Sequence, residues 1–567
     1  MNTEKFISMK WFSERKPYPI LYHSEYDLFY LDLTRRVFMR IETFHKKYNI
    51  PLLKYTSEET RELSYMISGY AEDIFNGIGI FSAMRQHFRA KFGSALPVIK
   101  PISSDYSEDD IQSEDILFLL WYFHIICRAE DENKPMLNPS SSALLKLSEE
   151  IFDELDSIEE VSTTDLYDDY FLISDEEEYI PVKNKIIWFA LKNYLSGFEI
   201  TKKHEQDIQK YIDEESVSAE LLSFYDYSVQ DIHAFETPLS LGALTSSQLF
   251  AKTARCSARM RTQLENLVVR HYGIFYLQSE DSRYYYFYHT GVNKNYKVIK
   301  QSFNKGLASD ESDMWMLNLI EWNGEYELTG TCIPCVYKAD QIRIENLKLQ
   351  NKFYCFDDVF RKELNDIASE FSRSAQQFFG KQLIPYQNEQ ELKKDMNDFM
   401  KWHQSEMKKK HENKKESAEM EHPDQVGKEN DPPEFTFDFD GDDDIALFIP
   451  ANNNIEFILG HRFLINLLNT PSEKWSQHDR QEAAGMIVSE SVSADYIKYL
   501  YKEYPKGNWN RMLYLPSVDE SALDFLLHIY KPHDLKFRKA PRFTSFDSSV
   551  MTEQDKIKME KGIWANP

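Results

Sequence analysis

Cys332-Ile-Pro-Cys335 sets two thiols at the spacing with which paired thiolates grip one tetrahedral ion, and Cys355 can add a third ligand. A closed structural zinc site takes a fourth ligand, and neither a second C-x-x-C pair nor a nearby His follows. Disulfide exchange uses a first thiol whose pKa a helix N-terminus lowers, whereas this pair follows a strand pattern. Zinc is the one cofactor these residues leave open; the plainer reading is reduced cysteines, and no cofactor is expected. Asp438-Phe-Asp-Gly-Asp-Asp-Asp444 has the oxygens that bind calcium. Counted from Asp438, however, the sixth position is Asp443 rather than Gly and the twelfth is Ile449 rather than Glu. The loop reads as a solvated lead-in to the strand that follows.

Arg255, Arg259 and Arg261, with Lys252 and Arg270, form the most basic short stretch. On one continuous helix Arg255 and Arg259 share a face, and guanidinium groups grip phosphate oxygens two at a time. The same arginines can pair instead with acidic residues of this chain, which are present at high effective concentration; that internal pairing is the expectation. Glu72 and Asp73 lie beside Gly77 and Gly79, and His124 sits in an apolar helix. A buried carboxylate near a histidine is what general acid–base catalysis uses, while two solvent-facing carboxylates and a satisfied core histidine are the plainer reading. The motifs G-x-S-x-G, G-x-x-x-x-G-K-[ST], H-E-x-x-H and a G-x-G-x-x-G after a strand do not occur.

The elements that must position these groups change character along the chain. Apolar residues at spacings of three and four predict helices over Tyr22–Tyr48, from Ser57 as cap through Ile74, over Leu117–Ile126, Leu144–Leu155 and Ile186–Tyr194. Gly77 and Gly79 predict a break near Asn76. Lys252–His271 reads as one basic helix. Short aromatic strands follow at Ile274–Gln278, Tyr284–His289, Tyr296–Ile299, Met314–Glu321 and Glu325–Thr331, and Asn323-Gly324 predicts a two-residue hairpin. Helices return over Phe356–Phe379 and Glu389–Lys410. Residues 404–434 are charged and Pro-containing and read as a linker. Two strands, Ile445–Ile449 and Ile455–Leu459, and helices ending with Ser517–Tyr530 are expected to share a last core.

The chain has 567 residues and a net charge of −27, most of it in one place. Residues 101–180 hold 23 Asp and Glu against three basic residues, whereas residues 1–100 are net +4. A diffuse nucleic-acid binder shows the opposite balance, so nucleic acid is disfavoured and a basic protein or peptide is the expected partner. No stretch reaches the ~20 apolar residues of a membrane span, the N-terminus does not read as a secretory signal, and five cysteines make a poor disulfide framework. These features point to the cytoplasm.

Tyr70-Ala-Glu-Asp-Ile-Phe-Asn-Gly-Ile-Gly-Ile80, then Phe88, Phe92-Gly93 and Leu96-Pro97, then Glu114-Asp-Ile and Leu119-Leu-Trp-Tyr122, resemble the N-terminal motifs of a Bacteroides-type family of uncharacterised bacterial proteins, a domain of unknown function. Trp322-Asn-Gly-Glu-Tyr326, Gly330 and Leu523-Asp-Phe-Leu-Leu527 are similar to its middle hairpin and C-terminal helix, so the resemblance covers most of the chain. Ala71 and Phe81 depart from it, standing where the pattern has Phe and Trp. The resemblance implies the layout and no catalytic residues.

Together these readings predict a multi-domain α+β protein: a helical domain over 20–230 with its acidic segment 101–180, a small antiparallel β-meander with flanking helices over 245–400, the linker 404–434, and a small α/β C-terminal domain over 440–545. The expected function is non-enzymatic protein interaction. The alternative is a divergent enzyme acting on phosphorylated or nucleic-acid substrates, with Arg255, Arg259 and Arg261 holding phosphate and Glu72, Asp73 or His124 as catalytic groups.

Overall fold

The computed structural model describes residues 6–18, 24–128, 138–158, 161–214, 219–289, 294–303, 307, 313–336, 358–415, 444–451, 453–488, 492–532, 534–535 and 542–545. The fold is α+β. It divides into two units, Met1–Phe360 with Tyr514–Ile529, and Arg361–Leu513 with Tyr530–Pro567. Among the described residues no helix is long and apolar enough to cross a membrane.

The first unit opens with helices α1 (Met9–Ser13), α2 (Glu25–Tyr48), α3 (Ser57–Asn76), α4 (Ile80–Phe92), α5 (Ser113–Arg128), α6 (Ser142–Asp156), α7 (Leu166–Phe171), α8 (Tyr179–Lys192), α9 (Gly197–Glu214) and α10 (Ala219–Phe235). Thr56, one residue before the expected Ser57, caps α3: its side chain accepts from Glu59 N while the Glu59 carboxylate accepts from Thr56 N, so two orphan amides are satisfied reciprocally. The break predicted near Asn76 occurs there, with Gly77 ending α3 in the left-handed region. α5 is buried on every side from Asp115 to Cys127, as its all-round apolar sequence requires.

The expected basic helix is two helices, α11 (Ser246–Thr253) and α12 (Ala258–Glu265). The Ser257 hydroxyl accepts from Met260 N and starts α12. The Arg261 guanidinium donates to the carbonyls of Ala251, Lys252 and Ala254 at the end of α11. Strands β1 (His271–Glu280), β2 (Tyr284–His289), β3 (Lys294–Ile299), β4 (Met314–Trp322) and β5 (Glu325–Cys335) then form a closed barrel in the order β1-β2-β3-β5-β4. All pairs are antiparallel except β3 with β5, which are parallel. Asn323 and Gly324 adopt φ 51° and 79°, giving the two-residue hairpin with Trp322 opposite Glu325. Phe275, Phe287, Tyr296, Val298, Leu317 and Leu319 fill the barrel.

The second unit holds α13 (Asp358–Phe379), β6 (Leu383–Tyr386), α14 (Glu389–Lys415), β7 (Ile445–Phe448), β8 (Glu456–Leu459), α15 (His461–Asn469), α16 (Gln477–Val488), α17 (Ala494–Glu503), α18 (Trp509–Met512) and, past the re-entrant segment, β9 (Arg542–Ser545). The sheet order is β6-β7-β8-β9, with β8 and β9 parallel.

Two sequence boundaries shift. The core on Ile445, Leu447, Phe457 and Leu459 is completed by Leu392, Met396 and Phe399 of α14 and Ala375 of α13, elements expected to belong with the meander. The last helix, α19 (Glu520–Tyr530), was expected over this sheet but its Phe525 packs in the first unit, against Phe88 at 5.0 Å, Phe92 at 5.2 Å and Trp121 at 6.3 Å. Residues 404–415 of the expected linker are helical, as the end of α14; residues 416–434 lie outside the described residues.

Candidate functional site

The basic stretch lines a cleft of ≈ 730 Å³, walled by Leu172–Asp175 on one side and by Lys252–Ser257 and Arg261 on the other. Its cations are already engaged. Arg255 lies between the two helices, so it does not share a helical face with Arg259; it pairs with Asp168 and donates to Gly77 O at 3.4 Å. Lys252 pairs with Glu265 at 3.2 Å, Ser257 donates to Asp175 at 2.5 Å, and Arg259 reaches Asn323 Oδ1 of the barrel hairpin at 3.4 Å. Asp168 and Asp175 both come from the acidic segment, so the internal pairing expected from charge is present.

The catalytic candidates do not join this cleft. Glu72 is buried and takes the buried Lys16 ammonium at 2.5 and 2.6 Å and the Tyr26 hydroxyl at 2.6 Å. Asp73, in the last turn of α3, is buried and reaches the start of α4, where its oxygens accept from Gly79 N at 2.6 Å, Ile80 N at 3.3 Å, Phe81 N at 2.7 Å and Tyr194 OH at 2.5 Å. Burial raises its pKa while these four donors lower it. His124 is buried in α5 with its ring 6.4 Å from that of Tyr55. The expected solvent-facing carboxylates are therefore internal, and each completes packing or a helix start.

The cysteine candidates also separate. Residues three apart on a strand point to opposite faces; Cys332 packs on the barrel core and Cys335 lies opposite Met314. Both are free thiols, and burial pushes the Cys332 pKa up to about 12, away from the thiolate that metals bind. Cys355 lies outside the described residues, and among those described no group of three His, Cys, Asp or Glu is placed to hold a metal. Asp438–Asp443 likewise lie outside them. Asp444 has a structural task, accepting from Arg462 N at 2.7 Å to start α15.

Arg270, counted with the basic stretch, is in the interior. Its guanidinium donates to Asp231 of α10 at 2.7 Å, and Lys183 of α8 and Thr329 of β5 reach the other Asp231 oxygen at 2.7 Å each. Burial opposes the charge on Asp231, but Arg270 and Lys183 hold its pKa below the usual range. Tyr179 OH meets Thr329 Oγ1 at 2.7 Å, and Trp322 Nε1 donates to Glu177 O at 3.0 Å. These bonds fasten the β4–β5 wall of the barrel to the helical layer.

The opposite wall is the surface that sequence reasoning missed. Tyr285 and Phe287 of β2 point into the core, so Tyr284, Tyr286 and Tyr288 point outward. Across the sheet Tyr288 is flanked by Tyr276 of β1 and Asn295 of β3, and Tyr286 stands opposite Lys297. Tyr276 is 44% exposed, and Lys297 is exposed with its ammonium 3.8 Å from the centre of the Tyr284 ring. Tyr284–His289 is an unbroken aromatic run, so the sequence shows a strand there but not which of its faces the helices leave uncovered.

Comparison with family models places the first half. Residues 15–273 match the family described as Protein of unknown function (DUF3843). The resemblance read from the N-terminal motifs was to a family without assigned function, and this match agrees with it. It is narrower than expected: the matched stretch ends just inside β1, so the Trp322–Gly330 hairpin and Leu523–Leu527 fall outside it. No curated protein and no solved structure gives a match to the chain. The DUF3843 stretch thus covers the helical layer and the cleft, while the outward tyrosines belong to the part beyond it.

Proposed function

We propose that this protein is a non-enzymatic binding protein and that the outward wall of its barrel is the binding surface. The observation that carries this reading is the row Tyr276, Tyr288 and Tyr286 with Lys297, turned away from the wall that β4 and β5 fasten to the helices. Tyr276 is exposed and Tyr286 and Tyr288 are half-buried; aromatic rings held on a sheet supply contact area at low entropic cost. The four free cysteines among the described residues suit a reducing compartment, the cytoplasm. Hydroxyl-radical footprinting with separate protein, nucleic-acid and glycan pools from a cell extract tests the reading. One pool should suppress oxidation of Tyr276, Tyr286 and Tyr288. Suppression confined to the Lys252–Ser257 cleft would overturn it.

A second surface has its own support. Glu149, Asp153 and Asp156 are exposed along one side of α6, which suits a basic protein or peptide. Much of the remaining acid is spoken for within the chain: Glu154 by Arg36 and Arg40, Asp115 by Arg85, Glu108 by Arg89. Binding of an oligolysine peptide should weaken steeply with salt and with Glu149→Lys/Asp153→Lys; salt-independent binding would rule this face out.

A further inference from the structure

We infer that the outer face of β1, β2 and β3 binds single-stranded nucleic acid, an inference that rests on the reading of that wall as the binding surface. Two observations carry it, and a third sets how the binding must respond to salt.

The first is topology. A closed five-stranded barrel in the order β1-β2-β3-β5-β4, antiparallel except for β3 with β5, is the path of the oligonucleotide/oligosaccharide-binding barrel, whose strands 2 and 3 and loops 1–2 and 4–5 carry the ligand. Fold analogy alone does not assign function, so the residues must agree. In this chain the loops 1–2 and 4–5 are brought together by Arg283 and Tyr284, which both reach Glu325.

The second is the rings. Base–aromatic stacking tolerates every base, because each has a π-face. Tyr286 and Tyr288 are two residues apart on one strand, about 6.8 Å, roughly twice the ~3.4 Å rise of a stacked strand. Successive bases of an extended strand can therefore meet successive tyrosines, and Tyr276 continues the row beside Tyr288.

The third is charge. Lys297 stands between Tyr284 and Tyr286 on this face. Lys300, paired with Glu280 at 2.7 Å, and Arg283, paired with Glu325 at 3.2 Å, mark its rim. Asp281, which accepts from the Tyr286 hydroxyl at 2.8 Å, offsets Lys297, so the face is close to neutral and the row of rings, rather than charge, is what suits a strand of bases. The net −27 of the chain does not forbid it, because charge beyond ~8 Å is screened at physiological salt. With few cations on the face, stacking must dominate and the salt dependence must be shallow, a log–log slope no steeper than about −2 for two or three phosphates.

The test is fluorescence anisotropy of the full chain with labelled oligothymidylate and oligouridylate of about fifteen nucleotides, a duplex of the same length and a neutral glucan oligosaccharide. Both single strands should bind, the duplex at least about tenfold more weakly. Tyr276→Ala and Tyr288→Ala should each weaken binding about tenfold, and Lys297→Glu should weaken it further than Lys297→Met. Tyr288→Phe keeps the ring and should keep the affinity, which separates lost stacking from lost folding. Absence of single-strand binding at low salt overturns the inference, as does binding unchanged in the Tyr→Ala variants. Glucan binding lost in those same variants, with no nucleic-acid binding, overturns the ligand but leaves the surface standing. Strand binding that is lost with Lys252→Glu/Arg255→Glu yet intact in the tyrosine variants overturns both.

Discussion

Lys16 and Glu72 meet inside a shell of Phe12, Tyr26, Tyr30 and Tyr167, with the ammonium 4.7 to 5.8 Å from the four ring centres. Such a pair contributes little over well-packed apolar residues, but removing one partner strands the other. Lys16→Met should therefore cost about 3–5 kcal/mol in urea unfolding, while Lys16→Met/Glu72→Leu should recover most of that; a double variant that merely adds the two losses would show the pair to be uncoupled. Asp115 gives a pH dependence. Burial pushes its carboxyl up to about 6, against the pull of Arg85 and the Tyr70 and Tyr106 hydroxyls. The folded pKa exceeds the unfolded 3.8, so in the window between them the folded state holds more protons. The contribution is full below pH ~4 and is lost as pH rises through ~6, about 3 kcal/mol in all. Urea midpoints from pH 4 to 7 should fall in the wild type relative to Asp115→Asn, and a constant difference would contradict the assignment. Residue types were legible in the sequence here, but environment was not: Glu72 and Asp73 looked solvent-facing because a helical count cannot know that Lys16 and Tyr194 arrive from elsewhere in the chain.

At the level of elements, local signals were strong where the backbone alone decides and weak where a distant group does. The break at Gly77 and the Asn323-Gly324 hairpin follow from positive φ, which few residues tolerate. The split between α11 and α12 rests instead on Ser257 and Arg261 closing two helix ends, a choice that periodicity across Lys252–His271 conceals. β6 was missed because it has only four residues and contains Pro385, which an edge strand tolerates and an inner strand does not. Gly69 supplies a test of sign. Ala in place of a mid-helix Gly ordinarily gains about 1 kcal/mol, but a Cβ at Gly69 would fall 2.3 Å from Tyr194 Cβ, next to the Tyr194 backbone, which cannot easily move. Overpacking of that kind costs about 1–3 kcal/mol. Gly69→Ala should lower the melting temperature of the first unit; a rise would mean the loop at Tyr194 yields freely.

At the level of the molecule, the overall α+β layout was legible and the grouping of its parts was not. Composition changes near residue 404 suggested a boundary, yet the sheet downstream buries Ile445, Leu447 and Phe457 against Leu392, Met396 and Phe399 upstream. A fragment beginning at residue 440 leaves that apolar face bare and should aggregate or melt without a cooperative transition by circular dichroism. A soluble, cooperatively melting fragment would restore the boundary at the charged stretch. The converse arrangement concerns timing. Phe525 fills a gap among Phe88, Phe92 and Trp121, but the 153 residues from Arg361 to Leu513 are made first. At 5–20 residues per second the ribosome takes roughly 8–30 s to cross them. For that interval the nascent helical layer lacks Phe525, and the ring cluster of Phe88, Phe92 and Trp121 stays incomplete until Tyr514–Ile529 has been made.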